Sequence, residues 1–543
     1  MMEYLIFKII FALILAICAA IGVTRQFQML QQNSYFASRY CGWLKESRPF
    51  SFRQPVFTFI FLTVLSAVIT RTPFCKKPSA SLLDALMICS YVLGSLALLV
   101  AYLKAKSALK RNRSSIKPLV VTARVKRMYL AAAVICLALS AGVVLVSNYY
   151  VSFALCILLL HCCFAPYSLA LLVLAVTKPI EKMIARKYVN EAKKILKQST
   201  SLTTVGVTGS YGKTGTKFIL KGLLEERLNV TATPGSFNTP MGVVRTVREH
   251  LRPETEVFIC EMGAKKRGDI KEICDIAAPQ IGVITSVGPQ HLDTFGNIET
   301  VADTKFELAD AANEVFLNYD NEIIRARGGA YNTTSYGTTP DCDIYADKIS
   351  YGSFGASFSV MCDGKELPLS TRLLGRHNVL NITAGVAVAK RLGLSDKAIT
   401  YAVSRLAPTE HRLELKPFIN GSLMIDDAYN ANPEGSLEAV NVLASFEGKK
   451  KIIITPGLVE LGDREYEYNY NLGLAAAQKC DIIILVGKQR SVPMHDAIKT
   501  TDFSEDNLFI VSSFAEAMEK LRGFADTSCV TLVENDLPDN YLK

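Results

Sequence analysis

Long apolar runs fill the first third of this 543-residue chain and constrain its fold more than any other feature. Five of them approach the length of about 20 residues that a helix needs to cross a hydrocarbon core. These predicted crossings cover residues 4–24, 55–70, 82–103, 129–146 and 151–176. Because the remainder has ordinary globular composition, the sequence predicts an N-terminal, multi-span α-helical membrane region over residues 1–177.

The basic residues between the apolar runs predict how the chain is oriented. Residues 25–53 carry five Lys or Arg and residues 104–127 carry nine, whereas residues 71–81 carry three and residues 147–150 carry none. Because basic loops stay on the cytoplasmic side, this alternation places the N-terminus outside and everything after Lys178 inside. The sequence therefore predicts a multi-pass protein of the cell membrane whose later domains are cytoplasmic.

Charge and cysteine usage exclude several classes of partner. Much of the net charge of +10 lies in the basic loops, so it indicates membrane topology. No stripe of basic and aromatic residues and no known motif supports a nucleic acid partner. The 14 cysteines include no CxxC pair and no regular spacing, which favours small buried residues in a reducing compartment over disulfides or zinc.

A phosphate-binding loop is predicted where the strand–helix alternation begins. LTTVGVTG (residues 202–209) is a β-branched strand that enters a glycine turn, and GTKFILKGLLEERL (residues 215–228) is an amphipathic helix. In this setting, backbone N–H groups cradle an anion. Lys213 would reach the β- and γ-phosphates, and the Thr214 hydroxyl would hold Mg²⁺. The strict GxxxxGK[ST] pattern is not met, because Val207 stands at its first glycine position.

The following strands end in residues that suit a metal. The buried strand in EVFICEMG ends at Glu261, and a carboxylate at the carboxyl end of a strand beside the phosphate loop is placed to bind a cation. The next strand leads into a loop with His291, and Lys305 follows fourteen residues later. Each residue alone has an ordinary structural interpretation, but their order and spacing favour one shared site.

Three stretches resemble a known enzyme family. The spacing T-G-x-x-G-K-T at residues 208–214 resembles the ATP loop of the Mur ligases, which add amino acids to peptidoglycan precursors. PGSFNTPMG (residues 234–242) and LMIDDAYNANPEGSLEAV (residues 423–440) resemble the MurF branch, which joins D-alanyl-D-alanine to a UDP-linked muramoyl tripeptide. The resemblance covers about residues 203–536. It implies an α/β fold with a P-loop central domain and a smaller Rossmann-like C-terminal domain.

The predicted domain limits combine the resemblance with the apolar pattern. They are 1–177 for about five transmembrane helices, 178–200 for a linker helix, 201–407 for the ATP-binding central ligase domain and 408–543 for the C-terminal Rossmann-like ligase domain.

The resemblance also implies roles for individual residues. In the family, the Glu and His at these places hold Mg²⁺ ions, and the lysine is carbamylated to supply an anionic ligand, so two Mg²⁺ sites and a carbamylated Lys305 are expected. The implied metal ligands are Thr214, Glu261, His291 and Lys305. The implied catalytic residues are Lys213, His291, Lys305 and Arg412. The implied nucleotide-binding residues are Gly209, Ser210, Gly212, Lys213, Thr214, Gly215, Asn378 against the adenine, Arg412 on the phosphates and Asp427 on the ribose. The implied acceptor and donor loops contain Asn238, Thr239, Tyr429, Asn430 and Asn432.

The implied chemistry is ATP-dependent amide-bond formation through an acyl phosphate. Two departures leave the substrates open. Soluble family members bind the UDP-sugar with an N-terminal domain, whose place the apolar runs occupy here. Thr455-Pro456-Gly457 and Asn469 stand where the MurF branch has a G-D-M-x-E-L-G run and a His. The acceptor is therefore expected to be a cell-wall precursor peptide, UDP-linked or lipid-linked, and the donor an amino acid or dipeptide.

Three other interpretations are possible from the sequence. One is the ordinary MurF reaction with the apolar helices as a bare anchor. Another is a membrane-bound, non-catalytic ATP sensor or scaffold of the same fold, which the retained Lys213, Glu261, His291 and Lys305 disfavour. A third is an ATP-driven transporter, which five crossings and the absence of an ABC-type signature disfavour. The sequence leaves the oligomeric state open.

Overall fold

The computed structural model of this chain describes residues 2–47, 99–110 without 101, 104–105 and 108, 118–145, 149–290, 292–352, 354–408, 410–428, 432–459 and 461–535. Residues up to Ala185 form one compact unit, and residues from Arg186 onward form a second.

The described N-terminal part is mostly helical, with a turn at residues 33–36 and an irregular stretch at residues 118–122. Its helices are α1 (Met2–Gly22), α2 (Thr24–Gln32), α3 (Ala37–Ser47), α4 (Ala123–Leu145), α5 (Tyr149–Phe164) and α6 (Pro166–Gln198). Among the described residues, two stretches are long and apolar enough to cross a membrane, Ile9–Gln32 and Ala123–Leu145. They overlap the first and fourth predicted crossings. The second crossing and most of the third lie outside the described residues, so a multi-span region stays a prediction.

The fifth predicted crossing, over residues 151–176, differs from the structure. Helix α5 ends at Phe164 and α6 begins at Pro166. Proline has no N–H to continue a hydrogen-bond ladder, but it suits the first position of a helix. The predicted linker helix is likewise not separate, because α6 continues through Pro179 to Gln198.

Polar contacts join the helices of the N-terminal unit. The Arg127 guanidinium on α4 forms a two-pronged ion pair with Glu181 on α6, at 2.6 and 2.8 Å. The buried Ser140 hydroxyl on α4 donates to the Ala12 carbonyl on α1 at 2.9 Å. Such contacts satisfy polar groups whose burial in apolar surroundings without a partner would cost free energy.

The second unit begins with a nine-stranded sheet in the order β2-β3-β1-β4-β5-β6-β7-β8-β9. Its strands are β1 (Thr203–Thr208), β2 (Val230–Ala232), β3 (Val257–Glu261), β4 (Ile281–Ile284), β5 (Glu314–Asn318), β6 (Thr333–Gly337), β7 (Ile344–Gly352), β8 (Gly355–Cys362) and β9 (Lys365–Thr371). Its helices are α7 (Lys213–Leu224), α8 (Pro240–Glu249), α9 (Asp269–Ala277), α10 (Leu292–Phe295), α11 (Ile298–Ala311), α12 (Glu322–Gly328), α13 (Arg376–Arg391) and α14 (Asp396–Ser404). Pairing is parallel from β2 to β7, and β8 and β9 extend the sheet as antiparallel strands.

A six-stranded sheet follows in the order β10-β11-β15-β12-β13-β14. Its strands are β10 (Glu414–Pro417), β11 (Leu423–Asp427), β12 (Lys450–Thr455), β13 (Ile482–Val486), β14 (Leu508–Val511) and β15 (Cys529–Glu534). Its helices are α15 (Pro433–Ala444), α16 (Glu465–Lys479), α17 (Val492–Lys499) and α18 (Phe514–Arg522). Only the β10–β11 pair is antiparallel among these described strands. The expected second, mostly parallel α/β sheet is therefore confirmed.

The register of the first sheet brings three strand ends together. Val207 on β1 pairs with Glu261 on β3, and Thr208 pairs with Ile284 on β4. The loops after β1, β3 and β4 therefore leave the sheet at one edge. In open parallel sheets, ligands bind at this carboxyl edge, where strand order reverses.

Candidate active site

The loop between β1 and α7 has the backbone shape of a phosphate cradle. Gly209 has φ +154°, and a Cβ built there would lie 2.1 Å from the Thr285 Oγ1 atom. Gly212, with φ +80°, immediately precedes α7. Both positions require glycine, one for space and one for a left-handed backbone. The first N–H groups of α7 are consequently available to an anion.

Lys213 folds back across this loop. Its Nζ donates to the Gly209 carbonyl at 2.7 Å and to the Ser210 carbonyl at 2.9 Å. Burial lowers the pKa of Lys213, the negative charge of Glu261 opposes this effect, and the charge of Arg412 adds to it, so that the pKa is about 8. The Lys213 side chain is thus held against the backbone of the cradle.

Glu261 is the centre of the polar contacts at this edge. Its Oε1 accepts from Thr214 Oγ1 and from Asn238 Nδ2, each at 3.1 Å. Its Oε2 accepts from Lys217 Nζ at 2.8 Å in an ion pair that is almost wholly buried. Two oxygens predicted to hold a metal, on Thr214 and Glu261, therefore meet at one point.

The donor set at this point fits Mg²⁺ that arrives with a nucleotide. Magnesium takes oxygen ligands and is usually held by one or two carboxylates together with substrate phosphates and water. Thr214 and Glu261 supply one hydroxyl and one carboxylate oxygen. Within the part of the chain that the structure describes, no three His, Cys, Asp or Glu side chains form a metal cluster. These two protein oxygens would leave the other coordination positions of Mg²⁺ to phosphates and water.

Lys305 is placed on α11 with its side chain buried. Burial holds its pKa well below the ordinary value, and the positive charge of Lys213 lowers it further. Burial therefore favours the neutral form of the amine. A neutral, buried amine is the form that reacts with CO₂, so the environment fits the implied carbamate.

The proposed nucleotide-binding residues extend toward the second sheet. The Asn378 amide, near the start of α13, donates to the Leu374 carbonyl at 2.8 Å. Asp427, at the end of β11, accepts from the Leu413 N–H at 3.2 Å. Burial raises the pKa of Asp427 to about 6, against the opposing charge of Arg412. Its cross-strand partner Glu534 is also buried, and desolvation and the charge of Asp427 raise the pKa of Glu534 well above its usual range.

A cavity of about 710 Å³ opens beside these residues. Thr214 and Ser236 contribute to one wall, and His411 and Arg412 contribute to another. This volume lies within the range of small-molecule sites. A more open depression of about 910 Å³ lies near Lys449 and Asp481. Its described lining includes none of the predicted site residues, so its size does not make it the candidate site.

Comparison with known proteins identifies the family. Residues 207–389 match the Mur ligase middle domain, and residues 411–533 match the Mur ligase glutamate ligase domain. A UDP-N-acetylmuramoyl-tripeptide–D-alanyl-D-alanine ligase of Bacillus subtilis is 30% identical over 335 residues, which are 61% of this chain and 72% of the Bacillus protein. The chain belongs to the Mur ligase family. It is an ATP-dependent peptide ligase of that family, whose members use ATP and Mg²⁺.

Other relatives agree with the MurF-type branch. The ligase of the same name from Mycobacterium bovis is 31% identical over 304 residues, which are 54% of this chain and 59% of the mycobacterial protein. A crystal structure of MurF from Acinetobacter baumannii has a TM-score of 0.60 at 25% identity, covering 66% of this chain and 78% of that one. MurF from Thermotoga maritima in complex with ADP has a TM-score of 0.58 at 26% identity, covering 65% and 80%.

Several predicted residues of this Mur ligase have structural contacts of their own. Thr239 and Asn432 cap α8 and α15, where their side chains accept from the N–H groups of Gly242 and Gly435. Turn chemistry thus accounts for part of both loops, and their roles toward acceptor and donor stay predictions. His291, Tyr429 and Asn430 lie outside the described residues.

The departure from the MurF pattern at Asn469 has a structural explanation. Its amide accepts from the Leu458 N–H at 2.8 Å and donates to the Leu458 carbonyl at 3.1 Å and to the Glu465 carbonyl at 2.8 Å. Asn469 therefore holds the loop after β12 against α16. The side chain supports the backbone of this loop and is buried beneath it.

Three residues of the site were not predicted from the sequence. Lys217 pairs with Glu261, Glu534 pairs with Asp427, and the Asn381 Oδ1 atom accepts from the Thr216 hydroxyl at 3.0 Å beside the phosphate loop. Spacing alone contains a signal for two of them. Lys217 lies one helical turn after Lys213, and Asn381 lies nearly one turn after Asn378.

We predict that kcat/KM for ATP falls as the pH is lowered through about 6, the pKa to which burial raises Asp427. Below that pH the carboxyl is protonated and loses acceptor capacity for ribose hydroxyls. The expected loss is about tenfold, the typical value of a hydrogen bond to a charged group. Initial rates at limiting ATP between pH 5 and pH 7, about one unit on each side of the transition, would measure this loss.

Asp427→Asn provides the control for this pH profile and should remove the transition near pH 6. The raised pKa also has a consequence for stability. Because the folded state disfavours the ionised carboxylate, ionisation of Asp427 lowers the free energy of unfolding. This destabilisation begins as the pH rises above the ordinary pKa of 3.8 and is complete above about pH 6. Asp427→Asn should therefore raise the free energy of unfolding more at alkaline pH than near pH 4, as urea titrations would show. A transition that persists in Asp427→Asn would assign it to another group.

Proposed function

We propose that this Mur ligase joins D-alanyl-D-alanine, or another amino acid or dipeptide, to the peptide of a cell-wall precursor. The observation that carries the proposal is the contact of Thr214, Asn238 and Lys217 with one carboxylate, Glu261, beside Lys213. This is an arrangement for holding a triphosphate and its metal near a reacting carboxylate. The 30% identity to a D-alanyl-D-alanine ligase supports this choice of donor.

The proposed reaction has two steps. An oxygen of the acceptor carboxylate attacks the γ-phosphorus of ATP, the bond to the β–γ bridging oxygen breaks, and an acyl phosphate and ADP form. The donor amine then attacks the acyl carbon, loses a proton, and inorganic phosphate leaves as the amide forms. Phosphoryl transfer depends mainly on positioning and on neutralising charge.

Individual residues are assigned to positioning the substrates and neutralising charge. Lys213 and Arg412 would neutralise charge on the β- and γ-phosphates. Thr214 and Glu261 would hold one Mg²⁺, while His291 and carbamylated Lys305 would hold a second. Bound Mg²⁺ supplies charge stabilisation at the phosphate oxygens. Asn378 and Asp427 would fix the nucleoside, so that the γ-phosphate faces the acceptor.

The acceptor is proposed to be held at the membrane, as a lipid-linked precursor peptide. The two apolar stretches and the predicted basic loops support a membrane location with the ligase domains in the cytoplasm. Anchoring enzyme and acceptor in one bilayer raises their effective concentration. The domain limits after residues 200 and 407 belong to the same proposal, whereas the predicted limit after residue 177 falls within α6.

The test compares two acceptors with one donor. Membranes containing the full chain receive ATP, radiolabelled D-alanyl-D-alanine and either UDP-MurNAc-tripeptide or its lipid-linked form. We expect ADP release and label transfer to be faster with the lipid-linked acceptor. Faster reaction with the UDP-linked acceptor would overturn the membrane-held acceptor and leave the ligase assignment intact. Label transfer to neither acceptor, with another amino acid accepted in a screen, would overturn the choice of D-alanyl-D-alanine.

A further inference from the structure

Lys217 is a buried cation to which the proposed reaction steps assign no role. It lies one helical turn after Lys213 on α7, and its side chain is fully buried. Its Nζ is 2.8 Å from Glu261 Oε2. Packing alone does not explain a lysine here, because well-packed apolar residues often replace buried ion pairs at no cost in stability. The charge itself therefore has a role to explain.

The Lys217 ammonium joins three elements of the site. Besides Glu261 at the end of β3, it donates to the Gly235 carbonyl in the loop after β2. The same loop returns to the carboxylate, because Asn238 Nδ2 donates to Glu261 Oε1 at 3.1 Å. The helix of the phosphate loop, the strand end and the 233–239 loop are thus connected through Lys217 and Glu261.

These contacts decide which carboxylate oxygen is directed to the cleft. Lys217 engages Oε2 of Glu261, whereas Oε1 lies beside the Thr214 hydroxyl. A cation held by Thr214 and Oε1 would share the Glu261 carboxylate with the Lys217 ammonium, and like charges repel strongly in a buried site. The negative charge of a bound triphosphate would offset this repulsion.

We propose that Lys217 is a positioning residue whose ammonium stays paired with the Glu261 carboxylate. It fixes the carboxylate with Oε1 toward Thr214 and keeps the site's affinity for a free divalent cation low. The metal is then retained only together with a nucleotide. This inference rests on the proposed role of Glu261 as a metal ligand.

The test measures binding of Mn²⁺ alone to the full-length protein by the loss of its free-ion electron paramagnetic resonance signal. Lys217→Met removes the charge, and Lys217→Gln removes the charge but keeps a hydrogen-bond donor, so it serves where the methionine variant fails to fold. Lys397→Met is the matched control, since Lys397 lies exposed in the first turn of α14 and does not line the cavity. We expect both Lys217 variants to bind Mn²⁺ at least about tenfold more tightly than the wild type, because a nearby like charge is gone.

Two further readouts separate positioning from simple packing. Mn²⁺ should raise the Tm of the Lys217 variants more than that of the wild type, because the metal replaces the missing counter-charge and binds only the folded state. With saturating Mg²⁺ and ATP, kcat should fall while KM for ATP changes little, because the carboxylate is no longer held in one orientation. Lys397→Met should behave as the wild type in both measurements.

Glu261→Gln distinguishes the possible failures. If Glu261→Gln abolishes Mn²⁺ binding but both Lys217 variants bind Mn²⁺ as the wild type does, the role of Lys217 is overturned and Glu261 remains a ligand. If Glu261→Gln leaves Mn²⁺ binding unchanged, the proposed metal site itself is wrong. Weaker Mn²⁺ binding in Lys217→Gln would also contradict the inference.

Discussion

Replacing Lys213 with alanine is expected to lower the rate of ADP release by about a thousandfold, the effect typical of removing a preorganised group that stabilises transition-state charge. In the structure, the Lys213 ammonium is held across the phosphate loop by the Gly209 and Ser210 carbonyls. A bound triphosphate would replace these two acceptors. The loss should therefore appear in kcat as well as in kcat/KM, because charge builds up on the phosphates during transfer.

The measurement is a coupled ADP-release assay at saturating donor and acceptor. Lys397→Ala is the matched control, because it removes a lysine from an exposed position in the first turn of α14, away from the cavity. We expect that control to retain nearly full activity. Circular dichroism would show whether Lys213→Ala keeps the wild-type fold. A folded Lys213→Ala protein that keeps more than about a tenth of the wild-type rate would contradict the assignment. A loss of about tenfold is far smaller than the loss expected for a group that stabilises transition-state charge.

Replacing Lys305 with alanine should produce a loss of similar size that small carboxylates partly reverse. Lys305 is buried, and burial holds its pKa well below the ordinary value, which favours the neutral form of the amine that takes up CO₂. The carbamate would present an oxygen to the second Mg²⁺. In Lys305→Ala, acetate or propionate added to the assay can occupy the vacated space and supply such an oxygen. We expect an activity loss of about a hundredfold or more without it.

Lys305→Arg is the informative control for this prediction. The guanidinium stays charged and cannot form the carbamate, and it fills the space that an added carboxylate would need. Its activity should therefore be low and should not respond to acetate. Removing bicarbonate from the wild-type assay should also lower the rate, and isotope-labelled bicarbonate should give a carbamate signal. Full activity of Lys305→Arg would exclude a carbamate at this position.

The local features of the candidate site could be predicted from the sequence because their causes are local. Gly209 and Gly212 are required by the shape of the loop itself. The position of Glu261 at the end of β3 follows from an apolar, β-branched run that stops there. Thr208 to Thr214 lie within one turn between a strand and a helix, so their relationship needs no knowledge of the rest of the chain.

Other features could not be predicted because neighbouring strands in the sheet are distant in sequence. On an amphipathic helix, Lys217 is expected to point to solvent, and only the pairing of β1 with β3 shows that it is buried against Glu261. Glu534 meets Asp427 because β15 inserts beside β11. The antiparallel strands β8 and β9 were also not predicted.

The sequence by itself determined the phosphate loop, the alternation of strands and helices and the family, because glycine geometry and hydrophobic periodicity act over a few residues. Only the tertiary structure decided which charges meet. Strand order placed the Glu261 carboxylate between Thr214 and Lys217, and it buried Asp427 beside Glu534. The physical reason is that the energy of a charge depends on its burial and on its partners, and both are set by parts of the chain that lie far apart in sequence.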